Sequence, residues 1–132
     1  MLPAFDNQQL GNQLLKLGTH RNKRRIWLDS PAHLRAAGFF PNIRYTAEYK
    51  PVDFIILRID ENGKTKVSKK IKGGELLPVI DINNKNISTV FSDDVSQIEV
   101  TYYRNIIVIG NGSYSIVSIH KECKLCRAND AQ

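Results

Sequence analysis

The chain has 132 residues, about one domain by length, and is long enough to bury a modest core. Apolar residues make up 42%, and no run approaches the roughly 18 uncharged apolar residues that a membrane span requires. Lysine and arginine exceed aspartate and glutamate by 19 to 13, a net charge of +6 that favours anionic partners. The first ten residues carry Asp6 and no basic stretch, unlike a secretory signal, and two cysteines cannot staple a domain of this size. A soluble cytoplasmic protein is expected.

The charge is unevenly placed. Up to Lys72 there are fourteen basic and six acidic residues, or +8; from Gly73 onward five basic and seven acidic residues leave −2. Two clusters make the basic half, His20 to Arg25 (HRNKRR) and Lys64 to Lys72 (KTKVSKKIK). One electropositive face on an ordinary domain is the functional reading, and solvated surface is the bland one.

Residues 1–22, rich in Gln, Asn and Gly, read as a flexible leader, with order beginning near Arg25. Ile26, Trp27 and Leu28 read as a short strand. Asp29-Ser30-Pro31 is a helix start, Ala32 to Ala37 supply under two turns, and Gly38 suits the left-handed position that ends a helix. Arg44 to Lys50 alternates as a half-buried strand does, and Phe54 to Ile59 (FIILRI) is a denser one. Asp60-Glu61-Asn62-Gly63 predicts a hairpin turn, with Lys64 to Ile71 as the returning arm. Lysines on such an arm also blunt edge-to-edge aggregation.

The pattern then recurs. Val79 to Ile82 reads as a strand, Asn83 as a cap, Ile87 to Phe91 as a helical turn, and Ile98 to Tyr102 and Ile106 to Ile109 as two further strands. A shift of 53 residues lands Leu34 on Ile87, Tyr45 on Ile98, Ala47 on Val100 and Tyr49 on Tyr102. One residue of slip adds Ile26 on Ile80, Leu28 on Ile82, Ile55 on Ile107 and Leu57 on Ile109. Eight apolar positions keep their order, which predicts a duplicated strand–helix–strand–strand unit. Units this short cannot close a core singly, so the two must pack together. The expected division is a leader at 1–22, units at 23–60 and 79–110, a basic hairpin and linker at 61–78 between them, and a C-terminal hairpin and tail at 111–132.

The stretch RIWLDSPAHLRAAGFFPNIRYTAEY followed by FIILRI resembles the swapped-hairpin (AbrB-type) fold, and within it the SymE-like branch. Arg25, Leu34, Ala36, Ala37, Gly38, Phe39, Tyr45 and Ile55 carry the match; the second unit is a looser copy with Val90-Phe91-Ser92 in place of the Gly-Phe step. The block VSKKIKGGELLPVIDINN is similar to small modules that accompany some bacterial DNA cytosine methyltransferases. The resemblance implies a mainly β fold with short helices, in which two swapped-hairpin-like β-α-β-β units pack into one small barrel. Such proteins are usually homodimers, and here one chain would supply both halves as a pseudo-dimer, monomeric or dimerised again. It also implies a DNA-binding regulator or a toxin–antitoxin component. The basic positions carried over are Arg21, Lys23, Arg24 and Arg25 before the first strand, with Arg35 and Arg44 flanking the helix. Lys64, Lys66, Lys69, Lys70 and Lys72 lie outside the family pattern and rest on charge alone. The second unit departs from it, since Leu77-Pro78-Val79 is uncharged and Asp93-Asp94 sits beside its helix.

Chemistry is sparse. His120, Cys123 and Cys126 form the only constellation with metal spacing: two thiolates two residues apart can share a zinc, with His120 as a third ligand, but a structural site needs four. An inert tail is the competing reading, and no cofactor is expected. His20, His33 and His120 are scattered, and Asp29 and Asp81 read as caps. Gly110-Asn111-Gly112 reads as a hairpin turn leading to Tyr114 to Ile119. The expectation is a non-enzymatic protein. Trp27, Phe39, Phe40, Tyr45 and Tyr49 beside the arginines suggest base stacking, but Trp27, Phe39 and Tyr45 are expected in the core, with Tyr103 and Arg104 as exposed contacts. The expected function is a small basic DNA-binding regulator or toxin–antitoxin-like protein from a mobile element; the alternative is a protein-binding inhibitor or regulator of a nucleic-acid enzyme such as a nuclease, of the phage anti-restriction or anti-CRISPR type. A plain structural domain is the third.

Overall fold

The structure is a computed structural model that describes residues 8–21 and 23–112. Its elements in chain order are β1 (Gly11–Lys16), β2 (Gly18–His20), β3 (Lys23–Leu28), α1 (Pro31–Ala36), β4 (Arg44–Lys50), β5 (Phe54–Ile59), β6 (Thr65–Lys66), β7 (Ser68–Lys72), β8 (Glu75–Ile82), α2 (Ile87–Val90), β9 (Gln97–Tyr103) and β10 (Ile106–Asn111). The strands form two antiparallel sheets, one of six strands ordered β1-β9-β10-β5-β4-β6 and one of four ordered β2-β3-β8-β7. The fold is mainly β with two short helices, as expected. A closed barrel is not found among the described residues: the sheets are separate ladders.

The repeat is visible in the register. In the β3–β8 ladder Ile26 opposes Ile82 and Leu28 opposes Ile80; in the β5–β10 ladder Ile55 opposes Ile109 and Leu57 opposes Ile107. These are the residues that the shift along the chain makes equivalent. Exchanging the halves therefore maps each ladder onto itself, about a local two-fold passing near the Trp27–Asp81 and Ile56–Val108 pairs. The edges obey the same relation. β1 pairs with β9 as β6 pairs with β4, and β2 pairs with β3 as β7 pairs with β8. Each half thus lends one edge strand to the other half's ladder.

The chain passes from one sheet to the other at Leu17 and at Val67, both buried. At these bends the Leu17 N–H donates to Ser96 O (2.9 Å) and the Val67 N–H to Ile43 O (2.8 Å). Both sheets are so joined along both edges by bent strands. The buried interior holds Ile26, Leu28, Leu34, Phe39, Tyr45, Leu57, Ile80, Ile87, Ile98, Val100, Tyr102 and Ile107, among others. Every one of the eight matched repeat pairs lies in this core or packs against it.

The helices end as their sequences dictate. Pro31 occupies the first turn of α1, and Gly38 (φ +90°) closes it: the Gly38 N–H donates to Arg35 O (2.9 Å) and the Phe39 N–H to Leu34 O (2.8 Å). Leu34 and Phe39, at either end of that motif, are both fully buried. Each helix is also tied to a turn of the other half. The Asn105 N–H, in the β9–β10 turn, donates to Ala37 O (2.9 Å), and the Val52 N–H, in the β4–β5 turn, donates to Thr89 O (3.2 Å).

Three local expectations are corrected. Residues 11–20, read as leader, form β1 and β2; β1 alternates intermediate and exposed residues, and its polar composition suits a one-sided edge strand on β9. The Asp60–Gly63 turn forms, with the Gly63 N–H donating to Asp60 O (2.8 Å), but the returning chain pairs with β4, because β10 already occupies the other side of β5. A tight hairpin turn lies instead at Gly73-Gly74 (φ +59° and +79°), closed by the Lys72–Glu75 pair, with positive φ at both central residues. Finally, Gly110 and Asn111 continue β10 rather than turning, paired with Glu99 and Ile98. Among the described residues no helix is long and apolar enough to cross a membrane.

Candidate nucleic-acid interface

The structure divides the expected basic residues into cations that hold the fold and cations that face solvent. Arg25 belongs to the first group. Its Nε and Nη2 donate to Asp81 Oδ1 and Oδ2 at 2.9 and 3.0 Å, and its guanidinium lies 4.5 Å from the centre of the Trp27 ring. The Asp81 hydrogen bonds raise the guanidinium's pKa further. Asp81 is therefore an ion-pair partner and not a cap. Asp29 is likewise engaged, accepting from Lys70 Nζ at 3.3 Å.

Arg24, the neighbour of Arg25, points elsewhere. Its Nη1 donates to Asp93 O (3.3 Å) and its Nη2 to Val95 O, which clamps the loop between α2 and β9, while its buried Nε has no partner. In the same loop the Ser92 hydroxyl donates to Asp94 and lowers that carboxyl's pKa, with Arg24 adding to the effect. Arg44 Nη1 donates to Gly63 O (2.9 Å), and Arg35 Nη2 lies 3.4 Å from both Glu75 Oε2 and Leu76 O. Arg24, Arg25 and Arg44 are thus engaged by the protein itself.

The solvent-facing group is made of Arg21, Lys23, Lys64, Lys66, Lys69 and Lys72, all exposed and in no ion pair among the described residues. Four of these lie on the Lys64–Lys72 stretch that forms β6, the bend and β7. Arg21 and Lys23 lie on the opposite edge of the four-stranded sheet, at the β2–β3 turn. Three strand spacings separate β2 from β7, roughly 14 Å. Lys16, absent from the sequence-based set, is exposed on β1 and is the two-fold equivalent of Lys66: Lys16 opposes Gln97 as Lys66 opposes Arg44.

Between these edges sits Trp27, expected in the core but 43% exposed. Ile26 and Leu28 on either side are fully buried, and strict alternation in a strand turns the residue between them outward. Phe39 and Tyr45 are core residues as expected, and Phe40 is exposed. Burial pushes the Tyr45 phenol up to about 12, and Tyr102 rises further for the same reason. No protein family, curated protein or solved structure matches this chain.

Other chemistry is limited. The Ser30 hydroxyl lies 2.7 Å from His33 Nδ1, and the His33 ring stacks on Tyr102 with centroids 4.9 Å apart, an arrangement that fastens α1 to β9. A cleft of about 610 Å³ beside α2 is lined by Val52, Asp53, Thr89, Asp94, Glu99 and Asn111, among others. Among the described residues no three His, Cys, Asp or Glu side chains are grouped to hold a metal. His120, Cys123 and Cys126 lie outside the described residues.

Proposed function

We propose that this chain is a small, non-enzymatic DNA-binding regulator, or a toxin–antitoxin-like protein of a mobile element, that contacts phosphates through the basic residues of its first half. The observation that carries this reading is the row Lys64, Lys66, Lys69 and Lys72: four exposed lysines within nine residues, none of them neutralised by a described carboxylate. Charges held apart from internal partners release counterions from a polyanion, and about 0.9 ions per phosphate contact leave B-form DNA. Arg21, Lys23 and Lys16 extend the charge to the far edges. The swapped-hairpin, single-barrel reading of the fold belongs to this proposal; the exchange of β1 and β6 between halves supports it.

A salt titration of binding to a labelled random-sequence duplex tests the function. The expected result is a linear fall of log affinity with log salt, with a slope of roughly −4 for four to five phosphate contacts. Replacing Lys64, Lys66, Lys69 or Lys72 singly by Gln should reduce that slope by about 1 each. No binding at low salt would sink the proposal.

A second reading, a protein-binding inhibitor of a nucleic-acid enzyme, is favoured by one feature. Trp27 and Arg25 stack on the sheet surface, and exposed Trp and Arg are the residue types that anchor protein interfaces. It predicts a partner whose capture is lost in Trp27→Ala and little affected by salt.

A further inference from the structure

The β7–β8 hairpin is more than a carrier of lysines. β7 pairs with β8 alone, and every residue from Ser68 to Leu76 except Lys70 is exposed. At its tip, Ile71 and Leu76 sit opposite each other on one face of the ribbon, 74% and 48% exposed. Lys69 lies on that same face, and Lys70 and Lys72 lie on the other. From the Lys69–Pro78 pair to the Lys72–Glu75 pair the ribbon extends roughly 10 Å, beyond which only the two-glycine turn remains.

An exposed aliphatic pair is poorly explained by phosphate contact, which lysines make unaided. Nor is it part of the buried core; the ribbon tip meets α1 through Arg35, at Glu75 Oε2 and Leu76 O. A two-stranded ribbon fits the major groove of a duplex, about 12 Å wide, where apolar side chains meet base edges. Lysines on both faces of the ribbon match the phosphates that line both walls of such a groove, so charge complementarity selects a polyanion as the occupant.

We propose that the β7–β8 ribbon enters the major groove of double-stranded DNA, with Ile71 and Leu76 packed against base edges and Lys69, Lys70 and Lys72 directed to the flanking backbones. This rests on the nucleic-acid reading above and adds the element, the groove and the apolar contact. Lys70 would leave Asp29 on binding, an exchange of one anionic partner for another.

The test is the double variant Ile71→Thr/Leu76→Thr in the full chain, which places a β-branched residue suited to a strand at both positions. Affinity for a short fluorescent duplex of mixed sequence, and its salt slope, are measured beside the wild type. Loss of the apolar contact should weaken duplex binding roughly tenfold or more while leaving the slope unchanged. Lys69→Gln and Lys72→Gln should instead each lower the slope by about 1. Unaltered duplex affinity of the double variant overturns the groove contact while leaving phosphate binding standing. A change in oligomeric state in the double variant overturns it too, because the pair is then a seam between copies. Absence of any wild-type binding overturns both readings together. A thermal melt matching wild type shows that the variant folds.

Discussion

Arg25 and Asp81, 56 residues apart in the chain, meet in a two-point ion pair (2.9 and 3.0 Å) on the strand pair that carries the local two-fold. Asp81 stands in the second half where Trp27 stands in the first, since the two residues oppose each other across the axis. The two halves thus differ at the centre of this ladder: one supplies an aromatic ring, the other a carboxylate, and Arg25 contacts both. Both partners are about one-third exposed, so the pair orients side chains more than it stabilises the fold.

Removing Asp81 should therefore change binding before it changes folding. Asp81→Ala releases Arg25 and deletes a negative charge from the sheet face. The expected outcome is tighter duplex binding at low salt and a salt slope steeper by about 1, read from the same titration.

Arg24 should behave in the opposite way. Its hydrogen bonds to Asp93 O and Val95 O fasten a loop, and charged donors of this kind contribute about 1.5–3 kcal/mol each before solvent exposure reduces it. Arg24→Ala is expected to lower stability by about 1–2 kcal/mol in urea unfolding. The salt slope of duplex binding should stay at its wild-type value, which distinguishes a structural arginine from a phosphate contact.

Alkaline pH should unfold the protein through its buried phenols. The Tyr45 pKa is held near 12 by burial, above the ordinary 10, so its protonated form is the one that folding favours. That stability is fully present below pH 10 and is lost as the pH rises toward 12. Linkage makes Tyr45 alone responsible for roughly 2–3 kcal/mol across that interval, and Tyr102 acts in the same direction. Thermal melts from pH 8 to beyond 11 should show a steep fall in the wild type and a shallower one in Tyr45→Phe.

Backbone conformation sets two further outcomes of opposite sign. At Gly38 (φ +90°) an added Cβ would lie 3.2 Å from Asn105 Oδ1 and 3.3 Å from Ile59 Cδ1, so Gly38→Ala should cost about 1–2 kcal/mol. Val52, β-branched and 87% exposed, holds φ at +65° in the β4–β5 turn. Val52→Asn relieves that conformation without removing a buried contact and should raise stability by about 1 kcal/mol. Urea denaturation midpoints check both.

The repeat, the two short helices and most strands were legible in the sequence because each rests on local information. Alternation marks β4 and β9, Pro31 and Gly38 bracket α1, and matched apolar positions such as Leu34 and Ile87 announce a common core. The two-glycine turn carried an equally local signal in Gly73-Gly74, overshadowed by Asn62-Gly63, which turns the chain without positive φ at either residue. β1 was illegible for a different reason. Its sequence GNQLLK has little apolar content, and it is ordered by the backbone hydrogen-bond edge that β9 offers from the other half.

The candidate interface divides along the same line. Composition alone located the charge: two basic clusters, both before Gly73, and a sum of +6. It could not say which cations are free, because Arg24, Arg25 and Arg44 find their partners at Val95, Asp81 and Gly63, distances along the chain that no local pattern encodes. Nor could it place Trp27, where three consecutive apolar residues compete for a face that admits every second one. Chain-local spacing determined which elements form and which residues can be buried; strand pairing across the two-fold decided which arginines are spent on the fold and which lysines still face solvent.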